Sequence, residues 1–283
     1  MNYILNICGF PRSGTTYLAY KINNLSEFAA IPEAQFRFYD QTKLHPNFID
    51  KYRSIKRLEK AYKAWEELVK ENIFEDLPKK SRKNKHQFSK KDFSYISNKF
   101  LKLFHNKPSY EYIIDHTPEN LFGFDENYNF ENQSFIFIER TLKSIIESHT
   151  KISWSRIPKS LLIAKYSIYQ EYAYNLKNFL KDVKHPGFAS INYSNMVKKD
   201  WLKYLKFDNN SSKLSNSLDN SEILEREFPL PSYTKKQHSY LSKDISKKIE
   251  PLELKNKKFN FPLLRESYHQ ITLPGLIKSF INR

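Results

Sequence analysis

Residues 9–17 read Gly-Phe-Pro-Arg-Ser-Gly-Thr-Thr-Tyr and directly follow the apolar run at residues 4–8. A short apolar run that ends at a glycine-containing turn is typical of a buried strand. Where such a strand opens into a helix, unpaired backbone N–H groups and the positive end of the helix dipole face one point. The stretch therefore predicts a first strand, a phosphate-binding turn and a first helix.

The turn differs from the loop of a nucleoside triphosphatase. Gly9 and Gly14 have the required spacing, but Thr15 and Thr16 stand where such an enzyme has lysine and then serine or threonine. A phosphate-loop kinase or triphosphatase therefore remains a weaker alternative. Arg12 lies inside the loop, where its positive charge can lie along the group that is transferred, so that no metal ion is needed there. The plainer alternative is a strand-to-helix turn in which a threonine only caps the helix.

With Arg12 inside it, this loop resembles the 5′-phosphosulfate loop of the sulfotransferase family, whose donor is 3′-phosphoadenosine 5′-phosphosulfate (PAPS). The motifs are closest in style to bacterial and tyrosylprotein-type members. The resemblance implies that Arg12 stabilises the sulfuryl and bridging oxygens. Tyr17 takes the place of a family aromatic, either stacking on adenine or packing beneath the helix. The 5′-phosphate would be held by the loop and the first helical turn, namely Ser13, Gly14, Thr15 and Thr16.

A second segment extends the resemblance. Residues 134–138 form an apolar, β-prone run that ends at Arg140, before a helical pattern. The family has an arginine at such a strand end and a serine eight positions later, both of which bind the 3′-phosphate. Arg140 and Ser148 stand in that relation here, and both side chains suit phosphate oxygens. Family members often have a tyrosine near the nucleotide at a later strand end, which Tyr193 matches.

Two residues compete for the role of the base that takes a proton from the acceptor. Glu33 resembles the catalytic glutamate that many bacterial and tyrosylprotein sulfotransferases carry after the first helix. His116 precedes Pro118 by two positions, where cytosolic members have their catalytic histidine and glycan-modifying members a lysine. Either side chain can take a proton. We favour Glu33 as the base and His116 as a donor at the sulfuryl group; a solvated glutamate and a strand-capping histidine are the plainer alternatives.

Length and charge limit the possible partners. The 283 residues fit one α/β domain over residues 1–283, with a helical insertion over residues 50–108. A formal net charge of +16, concentrated in residues 79–91, favours a phosphorylated nucleotide, an acidic glycan, nucleic acid or a membrane surface. The 79–91 stretch is either a solvated face or a recruitment site for an anionic glycan.

The remaining composition narrows the classes further. A single cysteine, Cys8, excludes an intramolecular disulfide and a cysteine-based zinc site, and we expect no metal. No apolar run is long enough to span a membrane, so we expect a cytoplasmic protein. A non-catalytic, basic nucleic-acid-binding module would explain the charge, but no nucleic-acid motif appears, so nucleic acid is an unfavoured partner.

The order of segments predicts the architecture. Strand-like runs at residues 110–114 and 188–193 alternate with helical patterns at residues 55–69, 93–104, 162–179 and 196–205. Residues 208–221, which are rich in Asn, Ser and Asp, are expected to form a surface loop. We expect a three-layer α/β fold of the phosphate-loop type: a central parallel sheet flanked by helices, with ligands at the carboxyl ends of the strands. The predicted function is sulfuryl transfer from PAPS to a hydroxyl or amine acceptor, such as a glycan, a lipid or a tyrosyl group.

Overall fold

The computed structural model describes residues 3–31, 63–64, 67–68, 90–105, 110–118, 121, 131–150, 159–207 and 213–224. Glu33 and residues 79–89 of the basic stretch lie outside them. The strands are β1 (Tyr3–Cys8), β2 (Phe28–Ala30), β3 (Tyr112–Asp115), β4 (Gln133–Glu139), β5 (Phe188–Asn192) and β6 (Lys206–Phe207). The helices are α1 (Thr15–Asn23), α2 (Lys90–His105), α3 (Leu142–Thr150), α4 (Lys159–Asp182), α5 (Tyr193–Met196) and α6 (Lys213–Asn220), with a 3-10 turn at Trp201–Tyr204.

The six strands form one sheet in the order β2-β3-β1-β4-β5-β6. β1 lies near the centre of the sheet and is parallel to both β3 and β4. β6 is an outermost strand and pairs antiparallel to β5. Parallel strands place their carboxyl ends at the same edge of a sheet, so the loops that follow β1, β3, β4 and β5 lie along one edge. The predicted α/β architecture is confirmed, with an antiparallel edge strand added to the parallel sheet.

Helices cover both faces of the sheet. On one face, Leu5 and Ile7 of β1 pack in a core cluster with Leu18 and Ile22 of α1. On the other face, Cys8 belongs to a separate cluster that includes residues of α3 and α4. A strand that is buried on both faces has a continuously apolar sequence, and for this reason β1 and β4 could be predicted from the sequence. The three layers fix β1, and with it the loop at its carboxyl end.

Two local predictions were wrong, and one strand was missed. Residues 213–220 form α6 rather than a loop, because Leu214 and Leu218 lie one turn apart and are both buried. Residues 196–205 do not form one helix; α5 ends at Met196 and a 3-10 turn follows. The short strand β2 was not predicted. Within the predicted helical insertion, α2 and the described residues 63–64 and 67–68 are helical.

Candidate functional site

Those of the sequence-predicted site residues that the structure describes lie at the carboxyl edge of the sheet. The 9–14 loop follows β1, and Arg140 follows β4, the neighbouring strand. Tyr193 follows β5, whose last residue is level with the end of β4. His116 follows β3, one residue beyond the pair formed by Asn6 and Asp115. Four successive strands of the sheet therefore each place one candidate residue or loop at this edge.

The loop after β1 contains a tight turn. The N–H of Ser13 donates to the carbonyl oxygen of Phe10 at 2.7 Å, Pro11 is the second residue of the turn, and Arg12, the third, has φ 76°. A closing hydrogen bond with positive φ at the third residue defines a type II turn, which usually has glycine or asparagine there. Arginine in this conformation is strained, so surrounding contacts must hold it.

Helix α1 begins without a side-chain cap. Its N-cap residue is Gly14, at φ 104°, and the first N–H with a helical acceptor is that of Leu18, which donates to the Gly14 carbonyl oxygen. The N–H groups of Thr15, Thr16 and Tyr17 therefore have no acceptor within the helix. With the helix dipole behind them, these three groups favour negative charge at this point of the turn.

Ser13 supports the turn rather than facing its mouth. Its N–H is committed to Phe10, and its side chain is 0% exposed, with the hydroxyl packed so closely on Gly9 that a Cβ there would lie 2.2 Å from Oγ. The amides of this segment that remain for an anion thus begin after Ser13. Gly9 is required for this close approach.

Arg140 connects three elements of the site. Its Nη1 donates to the carbonyl oxygen of Arg12 at 2.6 Å, and its guanidinium carbon lies 3.8 Å from the centre of the Tyr193 ring. Its own carbonyl oxygen accepts from the hydroxyl of Tyr166 on α4 at 3.0 Å. A guanidinium over an aromatic face is a favourable cation–π arrangement. Arg140 is thereby held beside the loop, at the carboxyl ends of the parallel strands.

Ser148 lies one to two turns into α3 and reaches the same cluster. Its Oγ accepts a hydrogen bond from Nε of Arg12 at 3.4 Å. Arg140 and Ser148, which the sequence placed eight residues apart, thus both contact Arg12, one at its backbone and one at its side chain. The structure brings two arginines and a serine together beside the start of α1.

Tyr193 and α5 close one side of the loop. A Cβ at Gly14 would lie 2.7 Å from Cε of Met196 and 2.9 Å from Cε2 of Tyr193, so only glycine fits there. Lys21 of α1 donates to the Met196 carbonyl oxygen at 2.8 Å and ties the two helices together. Tyr17 is half-buried and packs against the core on this side of the sheet. The packing role considered for Tyr17 is therefore present.

His149 is a site residue that sequence reasoning missed. It follows Ser148 on α3, is 8% exposed, and hydrogen-bonds to the backbone of Pro11. A proline has no N–H, so the imidazole is the donor and the Pro11 carbonyl oxygen the acceptor. Burial, together with the nearby Arg12 cation, lowers the pKa of His149 from 6.5 to about 4. The available signal was its position next to Ser148.

The two candidate bases differ in what the structure describes. His116 is 2% exposed at the end of β3, beside the central strand, and the next residue, Thr117, donates its N–H to Asp115. Glu33 lies outside the described residues, two positions after the last described residue of the β2 segment. The structure therefore places His116 at the same edge as the 9–14 loop and Arg140.

The described residues contain no group of three or more His, Cys, Asp and Glu side chains that could hold a metal ion. None of the helices they form has both the length and the apolar character needed to cross a bilayer.

Comparison with known proteins supplies the family. No curated protein and no solved structure matches this chain. A family model described as the sulfotransferase family matches residues 5–202, which is more than half of the 283 residues. The match includes most of β1, all of β2 to β5, the 9–14 loop, Arg140, Ser148 and Tyr193. The chain therefore belongs to the sulfotransferase family and is a transferase enzyme.

Proposed function

We propose that this protein transfers a sulfuryl group from PAPS to a hydroxyl or amine acceptor. The family generally uses PAPS as its sulfate donor. The observation that supports the proposal most strongly is the convergence of Arg12, Arg140 and Ser148 beside the uncapped start of α1. A nucleotide with a phosphate at each end needs two anion sites close together, one built on backbone N–H groups and one on side chains.

Each group has a distinct part in the proposal. The 5′-phosphate lies on the N–H groups of Thr15, Thr16 and Tyr17, with the threonine hydroxyls as further donors. The 3′-phosphate is bound by the guanidinium of Arg140, whose planar fork of N–H donors suits phosphate oxygens, and by the hydroxyl of Ser148. Tyr193 keeps Arg140 in place. Ser13 contributes by closing the turn, since its N–H already donates to Phe10.

Sulfuryl transfer is then a matter of alignment and charge. The acceptor oxygen or nitrogen attacks sulfur in line, a new bond to sulfur forms, and the bond from sulfur to the bridging oxygen of the 5′-phosphate breaks. The acceptor proton passes to the base, and 3′,5′-adenosine bisphosphate leaves with the bonding electrons. Arg12 stabilises the charge that gathers on the bridging oxygen, as a fixed cation does for phosphoryl transfer.

The base is tested by paired substitutions. We propose Glu33 as the base and His116 as a donor to the sulfuryl oxygens. Glu33→Gln is then expected to leave bisphosphate affinity intact and to lower transfer from labelled PAPS by at least about 100-fold, the usual size of general-base catalysis. His116→Asn, which keeps a donor, is expected to retain more activity. Unchanged turnover in Glu33→Gln, with loss in His116→Asn, would exchange the two roles.

One calorimetric comparison tests the function itself, with 3′,5′-adenosine bisphosphate, ATP with magnesium and a random oligonucleotide as ligands. The proposal expects micromolar or tighter binding of the bisphosphate and much weaker binding of ATP. Tight binding of ATP with magnesium but not of the bisphosphate would favour the kinase alternative. Binding of the oligonucleotide alone, with a steep salt dependence, would favour the nucleic-acid-binding module.

The acceptor is proposed only as a class. A glycan, a lipid or a tyrosyl group fits the chemistry, and the net charge of +16 favours an anionic glycan among them. We further propose that the chain forms one sulfotransferase domain over residues 1–283.

A further inference from the structure

Three consecutive carbonyl oxygens of the loop are held by donors from the protein. That of Phe10 accepts from the N–H of Ser13, that of Pro11 from His149, and that of Arg12 from Nη1 of Arg140. A carbonyl oxygen turned toward a bound phosphate repels it, whereas an N–H attracts it. The described contacts therefore keep these three carbonyl groups engaged by the protein.

The middle peptide of the turn, between Pro11 and Arg12, is the one that can flip. Type I and type II turns differ mainly in the orientation of this peptide, and the flip changes φ of the third residue from about +80° to about −90°. Arginine prefers the negative value, so the isolated turn favours type I. The observed φ of 76° at Arg12 therefore requires a contact that holds the flipped peptide in place.

We infer that His149 is a positioning residue that keeps the Pro11–Arg12 peptide in its type II orientation and thereby directs Arg12 into the site. This inference rests on the proposed function, because Arg12 is the residue assigned to the sulfuryl group. In a trans peptide the C=O and N–H point in opposite directions, so holding the Pro11 carbonyl toward α3 fixes the whole peptide. A flip would change the direction in which the Arg12 side chain leaves the backbone, and its contact with Ser148 would be lost.

The chemistry of the imidazole suits this task. A neutral imidazole has one N–H to donate, and burial beside the Arg12 cation keeps His149 neutral down to a pH of about 4. The adjacent Ser148 accepts from Arg12 Nε, so one turn of α3 contacts the backbone of Pro11 and the side chain of Arg12. An apolar residue of similar size at position 149 would fill the space and leave the carbonyl without its donor.

The test compares four variants. His149→Phe keeps a ring and removes the donor, whereas His149→Asn and His149→Gln each offer an amide N–H near one of the two ring-nitrogen positions. His185→Phe is the matched control, since His185 is also a buried histidine, 9% exposed, that hydrogen-bonds to a local backbone group, here the N–H of Gly187. His185 lies just before β5, at the amino ends of the parallel strands, whereas the 9–14 loop lies at their carboxyl ends.

Two readouts are needed. The first is the rate of amide hydrogen exchange at residues 9–17 in the ligand-free protein. This rate does not depend on which nucleotide serves as the sulfate donor. The second is the affinity for 3′,5′-adenosine bisphosphate relative to 3′-AMP, which lacks the 5′-phosphate. We expect His149→Phe to speed amide exchange in the loop several-fold. We also expect it to weaken bisphosphate binding about tenfold, which is the usual effect of losing one hydrogen bond. The affinity for 3′-AMP should stay unchanged. Asn or Gln is expected to restore both.

The outcomes separate the two proposals. If His149→Phe leaves loop exchange at the wild-type rate, or if His185→Phe changes it equally, His149 has no positioning role and the inference is overturned. If the wild-type protein fails to bind the bisphosphate, the proposed function fails, and loop exchange in the same variants still decides the role of His149.

Discussion

The loop between β1 and α1 (residues 9–14) and the junction between β4 and α3 (residues 140–141) follow neighbouring strands at one edge of the sheet, yet they begin their helices differently. At the junction, Oγ1 of Thr141 accepts from the N–H of Ser144 at 3.4 Å and caps α3. At the loop, α1 starts from Gly14, which has no side chain to offer. The helix whose start is capped supplies side chains to the site, and in the proposed function the helix whose start is open receives the anion.

The two regions also depend on each other unequally. Arg140, Ser148 and His149, all from the junction and α3, contact residues 11–12 of the loop. The loop contains strained arginine backbone, whereas the junction is a short, capped turn. Loss of Arg140 should therefore impair the loop, whereas loss of the Thr141 cap on α3 should affect only the stability of the fold.

The largest expected effect follows from removing Arg140. Arg140→Ala removes the proposed partner of the 3′-phosphate, the donor to the Arg12 carbonyl and the cation over Tyr193. Hydrogen bonds to charged groups contribute about 1.5–3 kcal/mol each, so we expect affinity for 3′,5′-adenosine bisphosphate to fall about 100-fold by calorimetry. Affinity for 5′-AMP should fall less, since only the indirect effect on the loop remains.

A matched charge deletion separates contact from general electrostatics. Lys177 pairs with Glu139, the residue before Arg140, at 2.6 Å, so Lys177→Ala removes a positive charge close to the junction. We expect it to change bisphosphate affinity less than threefold. Equal losses in Lys177→Ala and Arg140→Ala would mean that the junction acts through charge alone.

Acid should lower the stability of the folded protein through His149. Its pKa in the folded protein, about 4, is below the ordinary 6.5, so between these values the unfolded chain binds more protons. Stability from this group is therefore complete above about pH 6.5 and is lost as the pH falls toward 4, by about 2 kcal/mol at pH 5. Urea unfolding of the wild type and His149→Gln at pH 7.5 and 5 should show their difference in free energy of unfolding shift by this amount. A constant difference would contradict the prediction.

Gly14 tests the open start of α1. Gly14→Ala places a Cβ 2.7 Å from Met196 Cε and 2.9 Å from Tyr193 Cε2, at a φ of 104° that disfavours any side chain. We expect about 1–2 kcal/mol of destabilisation, measured by thermal unfolding, together with weaker bisphosphate binding as Tyr193 is displaced.

Thr141→Ala is its counterpart on the capped helix. It removes the cap of α3 and should cost about 1 kcal/mol with bisphosphate affinity retained. If Thr141→Ala weakens binding as much as Gly14→Ala, the two helix starts do not have the separate roles assigned to them.

The sequence predicted best what depends on the backbone. The loop could be predicted because its glycines and the preceding apolar strand are local features of the sequence. The strand at residues 134–138 could be predicted because a strand that is buried on both faces is continuously apolar. The contact of His149 with Pro11 was not predictable, since it joins residues 138 positions apart and depends on how α3 approaches the loop. Helix α6 was missed because burial of Leu214 and Leu218 overrides a composition of Ser, Asn and Asp.

The smallest expected effect concerns the ring beneath Arg140. Tyr193→Phe keeps an aromatic face at 3.8 Å from the guanidinium carbon, so bisphosphate affinity should stay within twofold of wild type. Tyr193→Leu keeps apolar volume against Gly14 but removes the cation–π contact, which is worth about 0.5–1 kcal/mol at a partly exposed site, and affinity should fall about threefold. Both values follow from calorimetry under one salt condition. An equal loss in the two variants would place the contribution of Tyr193 in its hydroxyl group, and the cation–π contact would then have no part in positioning Arg140.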